Sequence, residues 1–230
     1  MTSVASFLPQ DPAKTVAPIE RSPGYWAGVW HRFRRDKVAM AAGIVVLLLI
    51  LVAIAAPLIA PMDPYLGRTI RRLRPVGTAG FPLGTDELGR DMLSRLIYGA
   101  RYSLMMGVTP VIFAFGVGSL YGIVAGYVGG KTNTVMMRTI DVFYAFPSVL
   151  LAIAISGALG AGIVNSIVSL TCVFVPQIAR VAESVTTQIR ARDYVDAARL
   201  SGASTLTILR VQVLGNVLGP IFVYATSLIS

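Results

Sequence analysis

The stretch VAMAAGIVVLLLILVAIAAPLIA, Val38 to Ala60, holds 23 residues and no Asp, Glu, Lys or Arg. As an α-helix it is about 34 Å long, enough to cross a hydrocarbon core of about 30 Å. It lies behind a 37-residue leader. It also exceeds the apolar core of roughly 7–15 residues found in signal peptides, so it reads as a retained span. Three more charge-free runs follow: Tyr102 to Gly130, Val142 to Ala179 and Val211 to Ser230. The run from Val142 has 38 residues. One helix of that length is about 57 Å, too long for a single crossing. Its middle, Ser156-Gly157-Ala158-Leu159-Gly160-Ala161-Gly162, is turn-like. The run therefore divides into crossings near 134–156 and 162–180. The last run carries Gly215, Gly219 and Pro220 and makes a fifth span. The expected fold is an all-α, polytopic transmembrane helix bundle.

Composition supports this. Of 230 residues, 55% are hydrophobic and 13% charged, and the mean hydropathy is +0.70. An average soluble domain carries about 25% charged residues. A soluble globule could not cover this much apolar side chain with polar surface. That excludes most soluble-enzyme classes, and intrinsic disorder outside the N-terminus. The net charge is +9. In a soluble protein this would point to nucleic acid; in a membrane protein the basic residues orient the spans and meet anionic lipid. No nucleic-acid partner is expected. The single cysteine, Cys172, lies in an apolar run, so no intrachain disulfide can form.

Loop charge sets the topology. Thirteen Lys and Arg fall in segments 1–37, 131–138 and 180–210; seven fall in 61–101. The N-terminus is therefore expected inside, with 61–101 outside. Seven outside arginines run against the trend, softened by the length of that loop. The expected organisation is a leader at 1–37, a first span at 38–60, an outer loop at 61–101 and a core at 102–230. The core includes a cytoplasmic segment, 183–212. The leader to Pro23 is rich in Pro, Ser, Thr and Ala, a disordered composition. After it, Trp26, Trp30 and Phe33 are spaced for one helical face with basic residues elsewhere, as on an interfacial helix. His31, the only histidine, belongs to that surface.

Ala114, Gly118, Gly122 and Gly126 recur every four residues. Such a stripe lets another helix approach closely. Ala125-Gly126-Tyr127-Val128-Gly129-Gly130-Lys131-Thr132 fits a relaxed phosphate-loop pattern. That chemistry needs a strand before the loop, and here a span precedes it. Gly129 and Gly130 are better read as the end of a helix, with Lys131 at the surface. Arg138 and Asp141 are spaced to pair on one helix face, and read as a local ion pair at the interface in preference to a substrate site. No span carries a charge near its centre, which weakens a proton-coupled mechanism. No catalytic constellation or metal-ligand cluster is evident.

From Arg90 the pattern is helical. Leu93, Leu96, Ile97 and Ala100 fall on one side, and Asp91, Ser94, Arg95 and Arg101 on the other. Asp91 and Arg95 are expected to pair at i,i+4. Residues 183–212 read as a polar helix–turn–helix between spans. Gly202 is placed to end its first helix and Ser204 to cap its second. Ala197 and Ala198 give a small-sided helix suited to a partner's groove. Flanking spans argue against a DNA-binding helix–turn–helix.

At these residues the chain resembles the permease subunits of the dipeptide, oligopeptide and nickel branch of ABC importers. Asp196-Ala197-Ala198, with Gly202 and then Val213-Leu214, is similar to the family's EAA coupling loop. The string from Leu83 through Gly84, Thr85, Asp86, Gly89, Arg90, Asp91, Ser94 and Arg95 to Tyr98-Gly99-Ala100-Arg101 is similar to the branch's pre-span motif. Basic residues before the first span, and Ala60-Pro61-Met62-Asp63-Pro64 after it, resemble the second permease of the pair. Asp196 stands where Glu is usual, and Gly215 where Pro is usual.

The resemblance implies a type I importer half in a bacterial inner membrane. Its expected partners are a second homologous permease, two cytoplasmic ATPases holding ATP and magnesium, an external binding protein and membrane lipid. It implies no cofactor and no covalent chemistry in this chain. Asp193, Tyr194, Asp196, Ala197, Ala198, Gly202, Ala203 and Ser204 would couple it to an ATPase. The cargo class implied is peptides, or nickel and other small solutes. Similar proteins continue through a further loop and a sixth span, so the expectation is a chain incomplete at its C-terminus. The rival readings are a secondary transporter or channel, which needs intramembrane charge or a polar pore stripe, and a non-transporting scaffold.

Overall fold

A computed structural model describes residues 25–229; the leader expected to be disordered lies outside the described residues. The chain divides between Leu49 and Ile50 into two compact units, taken in turn. In the first, α1 (Tyr25–Arg35) is followed by the start of α2 (Lys37–Ile59). Asp36 separates them: its Oδ1 accepts the N–H groups of Val38 and Ala39, both at 3.0 Å, and so caps α2. Trp30 stacks on Phe33 with ring centroids 5.9 Å apart. The side chain of Trp26 lies outside the described residues. Along α2 only Ala53 and Ala56 are buried. A helix apolar all round and exposed all round is a lipid-facing span.

The second unit holds α3 (Met92–Val128), α4 (Gly130–Tyr144), α5 (Ser148–Leu159) and α6 (Ile163–Arg190). They are followed by α7 (Asp193–Leu200), α8 (Thr205–Ile208), a π-helical turn (Leu209–Val213) and α9 (Leu214–Ser227). Helices α3 and α6 share the largest helix–helix interface. Around it Ile178, Ala182, Val195, Val213, Val217 and Ile221 are all fully buried, joining α6, α7 and α9 in one core.

Several expected boundaries shift. The second span begins at Met92 rather than Tyr102, because the amphipathic lead-in is the first turns of the same helix. The crossing expected over 134–156 is two helices, α4 and α5, bent by 83° at 145–147. Pro147 explains the break: it disfavours helical backbone at Phe146 and offers no N–H to the ladder. The turn after α5 falls at 160–162, inside the expected Gly-rich stretch. The helix expected to end near 180 continues to Arg190, so residues 183–190 belong to the membrane helix and not to a separate cytoplasmic one. The last span starts earlier than expected, since α8, the π turn and α9 run on from Thr205 to Ser227. Lys131 lies in the first turn of α4, with a helix and no strand before it, so nothing there builds a phosphate loop.

The polar face expected on the lead-in divides: Arg95 and Arg101 are exposed as expected, but Asp91 and Ser94 turn inward. Asp91 is 2% exposed and Ser94 fully buried, while Leu96 is 65% exposed. The two inward polar residues bond to each other within the protein, while Leu96 is left on the outward side. Asp91 does not pair with Arg95. Its Oδ2 caps α3, accepting the Ser94 N–H at 2.8 Å and the Ser94 hydroxyl at 2.6 Å. Arg95 pairs instead with Asp86.

Candidate functional site

The sequence marks three groups of residues, and the structure places them along the α3–α6 pair. The pre-span group sits at the N-terminal end of α3. There Asp86 is a hub. Its Oδ1 accepts the backbone N–H groups of Leu88 and Arg90, both at 2.9 Å. Its Oδ2 accepts the Arg90 Nε at 2.8 Å and pairs with Arg95. Partial burial pushes this carboxyl up, but the bonds from Arg90 and Leu88 outweigh it and hold it at about 2. Thr85, buried, donates to the Arg71 carbonyl and accepts the Arg74 N–H at 2.9 Å. The Ser94 hydroxyl accepts the Met62 N–H at 3.0 Å, tying the chain after α2 to the start of α3. Gly84 and Gly89 take the turns of this loop, each with positive φ. The group organises a loop; among its buried side-chain atoms, Asp91 Oδ1 has no hydrogen-bond partner within the described residues.

Along α3, Ala114, Gly118, Gly122 and Gly126 are all buried. The three glycines face α6. A Cβ at Gly118 would lie 2.9 Å from the Val175 carbonyl, and one at Gly126 2.7 Å from that of Glu183. At the far end of this contact Asn133 of α4 donates to Glu183 of α6 at 2.6 Å. It also donates to the Ala125 carbonyl at 3.3 Å. These bonds clamp the α3–α4 junction onto α6.

The third group, expected from the sequence to meet an ATPase, follows where α6 ends. Helix α7 is only eight residues long, too short to be stable alone. Three features hold it. Asp193 and Asp196 lie in its first turn, where they favour the helix dipole by about 0.3–1 kcal/mol each. Val195 is fully buried in the core, with Ala198 and Ala203 packed against it. The C-terminus closes as a Schellman motif: Ala203 N–H bonds to the Ala198 carbonyl at 3.1 Å and Gly202 N–H to the Arg199 carbonyl at 3.0 Å. Gly202 carries φ +79, a conformation that penalises any side chain. Ser204 then caps α8, accepting the Thr207 N–H at 3.3 Å.

With Val195 and Ala198 turned inward, the outward face of α7 is Asp193, Asp196, Ala197 and Leu200. The small face is therefore divided: Ala197 is exposed and Ala198 half-buried. Leu200 is 90% exposed, and Tyr194 and Leu206 are also exposed. Asp196 pairs with Arg199 at 3.0 Å across solvent, worth little by itself. Sequence reasoning missed Leu200 and Leu206. Their signal was available: two leucines in a segment otherwise polar, at helix positions that do not face the core.

Two family patterns match the chain. The N-terminal transmembrane domain of oligopeptide transport permease C matches residues 24–75. The inner membrane component of binding-protein-dependent transport systems matches residues 118–230. Among curated proteins, the chain is 40% identical over 202 residues to the di/tripeptide transport system permease protein DppC of Pseudomonas aeruginosa, covering 86% of this chain and 67% of that protein. It is 34% identical to the dipeptide transport system permease protein DppC of Haemophilus influenzae, covering 87% and 70%. It is 37% identical to the glutathione transport system permease protein GsiD of Pectobacterium atrosepticum, covering 86% and 66%.

Proposed function

The chain belongs to the inner membrane components of binding-protein-dependent ABC transport systems, and on that premise we propose that it forms one transmembrane half of a peptide importer, driven through α7 by a separate ATPase. Short peptides are the cargo favoured by the names of its relatives. The partners follow from the family: a second permease, two cytoplasmic ATPases that hold ATP and magnesium, and an external binding protein. The chain itself carries out no covalent step. Its N-terminus and α7 lie on the cytoplasmic side, as the loop charges favour.

The observation that carries this reading is the outward face of α7. A helix too short to stand alone is fixed to the bundle on one side. On the other it offers Leu200, Tyr194 and two carboxylates to solvent. Tyr194, Leu200 and Leu206 together put apolar and aromatic surface on a short polar segment, and tyrosine is among the residues enriched at binding interfaces. A groove in an ATPase that takes this face would feel every movement of α6, because only Ala191 and Arg192 separate the two helices. In the assembled importer, Leu200→Asp should weaken retention of the ATPase about thirtyfold, the measure of a 2 kcal/mol hot spot taken as about its typical size. Insertion of the permease should be unchanged. Normal ATPase retention and normal peptide-stimulated hydrolysis for Leu200→Asp and Ala197→Trp together would remove α7 from the coupling role.

A further inference from the structure

Asp141 of α4 and Arg180 of α6 form an ion pair that is open to the surroundings, with side chains 40% and 48% exposed. Arg138 also approaches Asp141, at 3.9 Å. The depth of this pair matters. Arg180 is the eighteenth residue of α6, counted from Ile163. At about 1.5 Å per residue it lies roughly 26 Å from the outer end of a helix that is about 42 Å long. A hydrocarbon core of about 30 Å starting at that end would contain it. That core would end about 4 Å beyond Arg180, so the pair sits at its inner edge, where exposed charges meet headgroups, a water-filled path or another protein.

Their neighbours decide between these. Arg180 lies over the Tyr144 ring, 5.2 Å from its centroid. Tyr144 and Gln177, one turn outward on each helix, border a half-open cavity of about 170 Å³ that Phe143, Phe146, Leu151 and Pro176 also line. An aromatic-lined hollow with a carboxylate and a guanidinium at one edge is a mixed surface. A subunit interface core is depleted in charge, whereas a zwitterion with an apolar body needs all three parts. From this placement we propose that Asp141, Tyr144, Gln177 and Arg180 form a station on the translocation path for the charged ends of a short peptide. The incoming carboxylate takes the Arg180 guanidinium, the incoming ammonium takes Asp141, and a side chain enters the aromatic hollow. The resting Asp141–Arg180 pair keeps both charges satisfied when no peptide is present. This rests on the peptide-importer reading above and names the residues of this chain that serve it.

The lone Cys172 makes the test direct. In a Cys172→Ser background, Gln177→Cys is placed in the assembled importer and treated with a water-soluble, membrane-impermeant methanethiosulfonate. The label is added to inverted vesicles, with and without ATP and vanadate. Val149→Cys, on the exposed face of α5, serves as the lipid-facing control. Labelling at 177 and not at 149 is expected. Dialanine at about ten times its dissociation constant leaves about a tenth of sites open, so it should slow labelling at 177 about tenfold. Asp141→Asn should abolish that protection. No labelling at 177 in either nucleotide state places the pair against lipid or a partner subunit and overturns the proposal. Uptake of dialanine is measured on the same importer. Uptake without protection overturns the station alone, whereas no uptake of any dipeptide overturns the peptide reading and the station with it.

Discussion

Gly202 sets the direction in which the chain leaves α7, because with its φ of +79 its own N–H and that of Ala203 turn back onto the helix. A β-branched side chain there costs roughly 1–2 kcal/mol. Gly202→Val should therefore lower the melting temperature of the purified importer and loosen ATPase retention, while Gly202→Asn, which tolerates this conformation, should fall between it and the native chain. An equal melting temperature for all three would show that the turn is not strained by a side chain. Asp86 carries a pH prediction. Its carboxyl is held at about 2 against an ordinary 3.8. A carboxyl depressed on folding stabilises at pH above its ordinary value, and that contribution is lost as pH falls through the folded value. Amide exchange at Leu88 and Arg90, corrected for intrinsic rate, should stay slow from pH 6 to about 4 and quicken toward pH 2. Asp86→Ala, which removes both acceptor oxygens, should be fast throughout; slow exchange in that variant would remove the hub role. At this scale the sequence was informative where chemistry is local. Gly202 and Ser204 sit where turn and cap preferences put them, since each depends on a few backbone bonds. Asp91 was misread because its partner is chosen by burial, which an i,i+4 count does not contain.

Helix α3 meets α6 through backbone and not through interlocking side chains. A Cβ at Gly122 would lie 2.6 Å from that of Ala182 and 2.8 Å from the Glu183 nitrogen. Gly122→Leu should thus force the helices apart at a cost of at least about 1–3 kcal/mol. Gly116→Leu, on the same helix with nothing within 4 Å, is the matched control. Thermal unfolding in detergent reads the difference; equal loss in both would mean that leucine, not the contact, is at fault. The four-residue spacing of small residues was legible because a helix repeats its faces. The bend at 145–147 was not, although Pro147 stands in plain view. A proline in an apolar run is compatible with both a kinked span and a broken one, and Pro57, Pro110, Pro176 and Pro220 all sit inside continuous helices here. The end of α6 was likewise invisible to a charge count. Arg180 and Glu183 end the uncharged run, but each finds a partner on α4, so the helix continues past them.

At the scale of the molecule the topology is the first thing to test. Val76 and Ser201 are both exposed. In a Cys172→Ser background, a membrane-impermeant thiol reagent added to intact spheroplasts should label Val76→Cys and spare Ser201→Cys; the opposite pattern would invert the whole arrangement. The motion of α6 is the second. Pro176 lies inside it, 13 residues after Ile163 and 14 before Arg190. The helix runs on through it, so α6 is one rod from end to end with Pro176 near its middle. Each arm is about 20 Å long, so pulsed distance measurements between spin labels at the two ends and a fixed point on α3 should change together between nucleotide-free and vanadate-trapped states. A change confined to one end would mean that α6 bends at Pro176 instead of tilting as one rod. Arms of equal length make α6 a see-saw without gearing: a tilt of about 5° gives roughly 2 Å at each tip, in opposite directions. A balance beam moves least at its fulcrum, and Pro176 is also a wall of the aromatic hollow. Whatever rests in that hollow can stay nearly still while the two mouths of the passage trade places around it.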